Sequence, residues 1–312
     1  LILSPDNLDL CSIKMENLIE DIYKTIEPLS DGEAINISEY QIEVFGKAME
    51  AVLRSWANPT HRDSNFSVRM SNVGKHPRRL WFDNKYKNEQ GESKPNPPTQ
   101  IKFLYGHMLE ELVKLFVIIS GHDLTGQQKE VVVDGVSGHI DCIIDDEVVD
   151  IKTASGFAFN KFKNGTLRDD DPFGYLGQLA GYEESEGTSN GGLLVINKEN
   201  GELCFYQPED LDKPNIRNKI QNIKTALKKD EPPEDYCFKI VPDGVKGNEK
   251  INKNCAWCPY KFKCYEGSNN GKGLRVFKYS KGYAFLTKVV VEPKVQEVDH
   301  EFKDLQEDTE TI

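Results

Sequence analysis

An acid and a lysine stand in the middle of an apolar strand. Val148, Val149 and Ile151 mark Val148–Thr153 as a strand beside a buried layer, and Asp150 and Lys152 interrupt it. Residues i and i+2 of a strand point to one face, so the Asp150 carboxylate and the Lys152 ammonium emerge side by side. Charges next to an apolar layer are unfavourable unless they are paired or used. The stretch therefore demands a sheet that buries it and a chemical reason for the pair.

The flanking pattern supplies the sheet. Residues 101–119 place Leu104, Met108, Leu112, Leu115, Phe116 and Ile119 at helical spacing, and Gly121 ends the run. Strand-like runs follow at Lys129–Val133, His139–Ile144 and Val148–Thr153, with Asp134-Gly135 and Asp145-Asp146 as turn material. A second helix is expected over 172–185 behind Asp171-Pro172, strands at 192–197 and 202–206 around Asn200-Gly201, and a third helix at 214–229. Upstream, 37–56 reads as an amphipathic helix opened by a Ser38/Gln41 capping box, and the polar stretch 84–99 reads as a loop. A β-like stretch over 283–292 precedes an acidic end. The order helix, three-strand antiparallel meander, helix, strand predicts an α/β core. The chain then divides into a helical region with a basic loop (1–100), the core (101–235), a cysteine module with a β extension (236–296) and an acidic tail (297–312).

A net charge of −12 argues against an anionic partner only if the charge is spread evenly. It is not: residues 246–288 hold ten Lys or Arg against two acids, and 297–312 hold seven acids against one lysine. No run approaches the roughly 18 apolar residues of a membrane helix, and no secretory signal opens the chain, so a cytoplasmic protein is expected.

Glu110 on the first helix, Asp141 on the second strand and Asp150 with Lys152 on the third form a set of oxygen ligands beside an ammonium. Hard divalent ions want oxygen ligands, and Mg²⁺ keeps several waters, so two or three carboxylates suffice. Asp141 and Asp150 would bind Mg²⁺ or Mn²⁺ directly, Glu110 directly or through water, and the Ile151 carbonyl is a further ligand. Lys152 would orient or deprotonate an attacking water and stabilise charge on a phosphate. Gln178 could hold that water or a phosphate oxygen, and His139 lines the same strand face.

Gly106-His107-Met108-Leu109-Glu110, Gly138-His139-Ile140-Asp141, Asp150-Ile151-Lys152-Thr153 and Tyr175–Tyr182 resemble the motifs of the PD-(D/E)xK nucleases, in the family's order over roughly residues 101–206. The branch they are most similar to is that of lambda-type phage exonucleases and RecB-like nuclease domains. The resemblance implies a restriction-endonuclease-like core, metal binding and catalysis by Glu110, Asp141, Asp150 and Lys152, and a place in the site for Gln178 and Tyr182. The chain has Asp150 where many relatives have Glu, and Glu110 where many RecB-like members have a metal-binding His; Glu111 is the neighbouring candidate. It further implies an exonuclease acting on linear DNA, phage-encoded and working in the host cytoplasm in recombination, replication or DNA degradation. A single-strand annealing or replication protein is the implied partner, and a ring oligomer is a known form of lambda-type enzymes. An endonuclease on the same core and an inactive DNA-binding module are the alternatives.

Seven cysteines, three of them within ten residues, point away from a disulfide framework and to a metal or cluster site. Cys255, Cys258 and Cys264 form a C-x2-C-x5-C array that suits zinc or an iron–sulfur cluster. The array resembles the end of the iron–sulfur staple of AddB-type helicase–nucleases and CRISPR-associated spacer-acquisition nucleases. In those families the remaining cysteine lies upstream, before residues like Pro77-Arg78-Arg79; here His76 holds that place, with Cys237 the rival fourth ligand for a 4Fe–4S cluster or zinc. Arg78, Arg79, Lys261 and Lys263 are the expected phosphate contacts.

Overall fold

The computed structural model describes residues 15–58, 66–86 and 96–299. It divides into unit 1, Leu1–Lys75 with Asp83–Lys228, and unit 2, His76–Phe82 with Lys229–Ile312. The helices are α1 (Leu18–Ile26), α2 (Glu39–Ala57), α3 (Met70–Val73), α4 (Pro77–Tyr86), α5 (Pro97–Ile119), α6 (Gly156–Lys163), α7 (Tyr175–Glu186), α8 (Ile216–Leu227), α9 (Lys253–Ala256) and α10 (Lys261–Cys264). The strands of unit 1 are β1 (Leu124–Thr125), β2 (Glu130–Val133), β3 (Val136–His139), β4 (Cys142–Ile144), β5 (Glu147–Ala154), β6 (Gly192–Asn197) and β7 (Leu203–Tyr206). Unit 2 carries β8 (Val241–Asp243), β9 (Asn248–Lys250), β10 (Arg275–Tyr279), β11 (Gly282–Lys288) and β12 (Glu297–Val298).

Unit 1 is a mixed α/β layer structure. Its sheet runs β1-β4-β5-β6-β7, with β5 and β6 parallel and the other pairs antiparallel. A parallel neighbour needs a crossover, which α6 and α7 supply. One face of the sheet buries Val149, Ile151, Leu194 and Ile196 against Leu18 and Ile22 of α1 and Val113 and Val117 of α5. The other buries Ala154, Leu193 and Val195 against Phe159 and Phe162 of α6 and Leu176 of α7. Strand β5 is thus covered on both sides, and the alternation that sends Val149 and Ile151 to one layer sends Asp150 and Lys152 to the other. Unit 2 is built on the antiparallel sheet β12-β10-β11-β9-β8 over a core of Ile251, Cys255, Tyr265, Leu274, Val276 and Phe285.

The expected three-strand meander is corrected. Residues Glu130–Val133 pair with Val136–His139 in a separate two-stranded sheet, and only Cys142–Ile144 joins β5. The run His139–Ile144 breaks at Ile140 and Asp141, where the Asp141 Oδ2 accepts the Ile151 N–H at 2.9 Å in place of a strand carbonyl. Asp141 therefore caps the end of a strand, and His139 stands exposed on the hairpin, not beside Asp141 on one strand face.

The capping box of α2 forms as read, with the Gln41 backbone N–H donating to Ser38 Oγ and the Ser38 N–H to the Gln41 side-chain Oε1. Helix α5 starts before the expected 101, because Asn96 caps Thr99 N–H ahead of Pro97 and Pro98. Helix α6 was not expected at all. Helix α7 starts at Tyr175, later than 172, because the Asp171 carboxylate accepts the N–H groups of Gly174, Tyr175 and Leu176. The loop expected over 84–99 has its middle, 87–95, outside the described residues, as do 300–312 of the acidic end and Cys11.

Candidate active site and thiol cluster

In unit 1, Asp150 is buried at the middle of β5 with three polar neighbours. The Lys152 Nζ lies 2.6 Å from its Oδ2, and the Gln178 amide of α7 reaches its Oδ1 at 3.4 Å while donating to the Tyr182 hydroxyl at 2.9 Å. Apart from this ion pair, Oδ2 has no hydrogen-bond partner. Burial pushes the Asp150 carboxyl up to about 7; Lys152 opposes that shift and the neighbouring Asp141 adds to it. Burial disfavours the Lys152 ammonium, yet Asp150 and Asp141 outweigh it and raise the lysine.

On α5, Lys114 lies four residues after Glu110, on the buried side of the helix beside Val113 and Val117. Its Nζ binds the carboxylates of Glu110 at 2.6 Å and Glu111 at 3.0 Å, with only 4% of the lysine side chain exposed. Burial, then Asp141, raises the Glu110 carboxyl, while Lys114 lowers it. Glu110 and Asp141 are thus electrical neighbours, and Asp141 is a neighbour of Asp150. Burial alone would lower Lys114, but Glu110 and Glu111 bring it to about 12.

The structure links these residues pairwise next to the break between β3 and β4: Ile151 to Asp141, Asp150 to Lys152 and Gln178, Gln178 to Tyr182, and Glu110 to Asp141 through their charges. The candidate donors are all oxygens, the kind a hard cation takes. Among the described residues no three His, Cys, Asp or Glu groups stand ready to hold a metal ion. Glu110 and Asp150 are instead each paired with a lysine, Lys114 and Lys152. Sequence reasoning missed Lys114, although a lysine among the buried positions of an amphipathic helix was a visible signal. It also missed Tyr175, whose ring lies 5.3 Å from the Lys152 Nζ.

In unit 2 the dipeptide Arg78-Arg79 reaches three sulfurs. The Arg78 Nε donates to Cys264 Sγ and the Arg79 guanidinium to Cys258 Sγ, each at 3.2 Å, and the Arg79 backbone N–H bonds Cys237. Cys255 lies one turn from Cys258, whose N–H donates to the Cys255 carbonyl at 3.0 Å. Burial pushes the Cys237 thiol up to about 12, and Cys255, Cys264 and Cys258 act on it in the same direction, so the four thiols are neighbours. His76 accepts the Arg78 N–H through Nδ1 at 3.2 Å.

The expectation that Arg78 and Lys261 meet DNA phosphates is corrected, because both are buried. Arg78 also donates to the Pro233 and Cys264 carbonyls and stacks 4.6 Å from the Tyr236 ring. Arg79 lies over Tyr260, whereas Lys263 is exposed.

No family model matches the chain, and no curated protein matches it. One similar solved structure, "Crystal structure of SSO0001", is 18% identical, covers 71% of this chain and 95% of its own, and has a TM-score of 0.36. An alkaline exonuclease, LHK-Exo from Laribacter hongkongensis, is 14% identical over 50% of this chain and 89% of its own, with a TM-score of 0.34. At such scores neither likeness bears on what this chain does. No helix among the described residues is long and apolar enough to cross a membrane.

Proposed function

We propose that this chain is a Mg²⁺- or Mn²⁺-dependent deoxyribonuclease that hydrolyses phosphodiester bonds at DNA ends. Asp150 carries the reading: a fully buried carboxyl paired with Lys152, with Asp141 as its acidic neighbour and Glu110 next to Asp141. An ionisable group at that depth has no structural need to be there. Asp141, Asp150 and the Ile151 carbonyl would hold the ion, with Glu110 bound directly or through water. When bound, the ion supplies an acidified water and charge neutralisation on the phosphate. Lys152, kept charged by its two acidic neighbours, stabilises the charge that develops on the phosphate oxygens. Gln178, pinned by Tyr182, orients the Asp150 carboxylate. Lys114 fixes the Glu110 carboxylate.

The motif resemblance favours an exonuclease, phage-encoded and acting in recombination, replication or DNA degradation in its host's cytoplasm, beside a strand-annealing or replication protein. The thiols of unit 2 suit zinc or an iron–sulfur cluster, with Cys237 joining Cys255, Cys258 and Cys264, or His76 in its place. Its role is structural, binding residues 76–82 to the cysteine module. The test is incubation of linear and covalently closed circular DNA with Mg²⁺ or Mn²⁺. Loss of the linear form alone is the expected result. Cutting of closed circles would make it an endonuclease, and an Asp150→Ala variant that cuts as well as the parent would sink the mechanism.

A further inference from the structure

Two phenylalanines beside this site face solvent: Phe157 is 71% exposed and Phe173 60%. Single exposed apolar side chains are ordinary on protein surfaces. Phe173 is set apart by what holds it and what it touches. Its ring stacks on Tyr175 at 5.5 Å and 27°, and the Tyr175 ring lies 5.3 Å from the Lys152 Nζ. An exposed aromatic face is thus joined, through one ring, to the lysine of the proposed site.

The loop carrying Phe173 is fixed from several sides. Asp171 accepts the N–H groups of Gly174 at 2.8 Å, Tyr175 at 3.0 Å and Leu176 at 3.0 Å. Gly174 takes φ +81° and packs so tightly that an added Cβ would come 2.3 Å from the Gly74 backbone. Tyr175 is backed by the buried Phe162 at 5.9 Å. The Lys161 Nζ ties α6 to the loop through the Asp170 carboxylate at 2.7 Å, and lies 5.7 Å from the Phe157 ring. Free rotation of an exposed ring would normally favour a loose loop; here the ring is presented in one place.

We propose that Phe173, stacked on Tyr175, is a platform for an unpaired nucleobase next to the scissile phosphate. The proposal rests on the nuclease reading above and names its substrate: a single-stranded end. A base in a duplex has its faces covered by its neighbours, whereas an unpaired base offers a flat apolar face to an aromatic ring.

The test is binding, read by fluorescence anisotropy on the full-length protein with no divalent ion added, using a single-stranded oligonucleotide and a blunt duplex of the same sequence. Phe173→Ala should weaken binding of the single strand by about 5- to 150-fold and leave the duplex nearly unchanged. Phe173→Trp should restore it and Phe173→Leu should not, because stacking needs a π face. Unchanged single-strand binding by Phe173→Ala, equal loss on both DNAs, or rescue by leucine would each overturn the platform. These failures are separable from failure of the nuclease reading. If the parent cuts DNA and Asp150→Ala does not, the nuclease reading stands whatever Phe173 does. If the parent neither binds nor cuts either DNA, both fall.

Discussion

Replacing Asp150 by asparagine should make the metal-free protein less sensitive to rising pH. The Asp150 carboxyl has an ordinary value of 3.8 and is pushed up to about 7 by burial in the folded chain. A group raised on folding contributes stability that is present below its unfolded pKa and lost as pH rises through the folded one. For this shift the full loss is on the order of 4 kcal/mol, and about 3 kcal/mol of it falls between about pH 5 and pH 8. Asparagine keeps the shape and cannot ionise. The variant's stability minus the parent's should therefore climb by that amount across the interval, whatever constant offset the unpaired Lys152 adds. Urea unfolding followed by circular dichroism at a series of pH values measures it. Adding Mg²⁺ should restore the parent at high pH, by binding the ionised carboxylate, and leave the variant unmoved. Parallel pH curves for the two proteins would refute the argument that Asp150 is the buried acid of the site.

Three further outcomes follow from named contacts. Lys114→Met leaves Glu110 and Glu111 without their cation. It should lower stability by about 2–4 kcal/mol, somewhat under the loss for a fully buried pair because both carboxylates keep some exposure; an unshifted thermal melt would show that the pair holds nothing. Gly174→Ala would press a Cβ onto the Gly74 backbone at a left-handed position. It should destabilise unit 1 by roughly 1–3 kcal/mol in urea unfolding, and a smaller change would mean the contact relaxes freely. Cys237→Ser in anaerobically purified protein should lose bound iron or zinc by elemental analysis while His76→Ala keeps it; the reverse pattern would return the fourth ligand to His76.

The centre of the site was legible because it depends on strand alternation. Asp150 and Lys152 were expected side by side, and their charged atoms lie 2.6 Å apart. The helix bearing Glu110 was legible, but its buried line is Leu109, Val113 and Val117, and Met108 of the expected line is exposed. The break between β3 and β4 was not. It depends on the Asp141 side chain taking the Ile151 N–H, a bond between residues in different elements that no local pattern announces. Helix α6 escaped for a related reason: Phe159 and Phe162 are buried by β6 and β7, and tertiary packing makes a helix of an otherwise ambiguous aromatic run. Arg78 was misread because a basic residue in a loop suggests a phosphate contact. Only the fold shows its guanidinium buried against Cys264.

The charge balance of unit 1 ties these observations together. Three acids and two lysines share one region, and burial raises the carboxyls of Glu110 and Asp150. Well-packed apolar residues would be at least as stable at those positions. Lys114 and Lys152 offset part of the penalty, yet an oxygen of Asp150 still lacks a hydrogen-bond partner. A divalent cation would meet that remaining need, and a phosphate bound to it would then face Lys152. The same arrangement that lowers stability at high pH thus prepares the site for a cation and an anion together. For that reason Asp150→Asn is expected to lose catalysis and, relative to the parent, to lose less stability as pH rises.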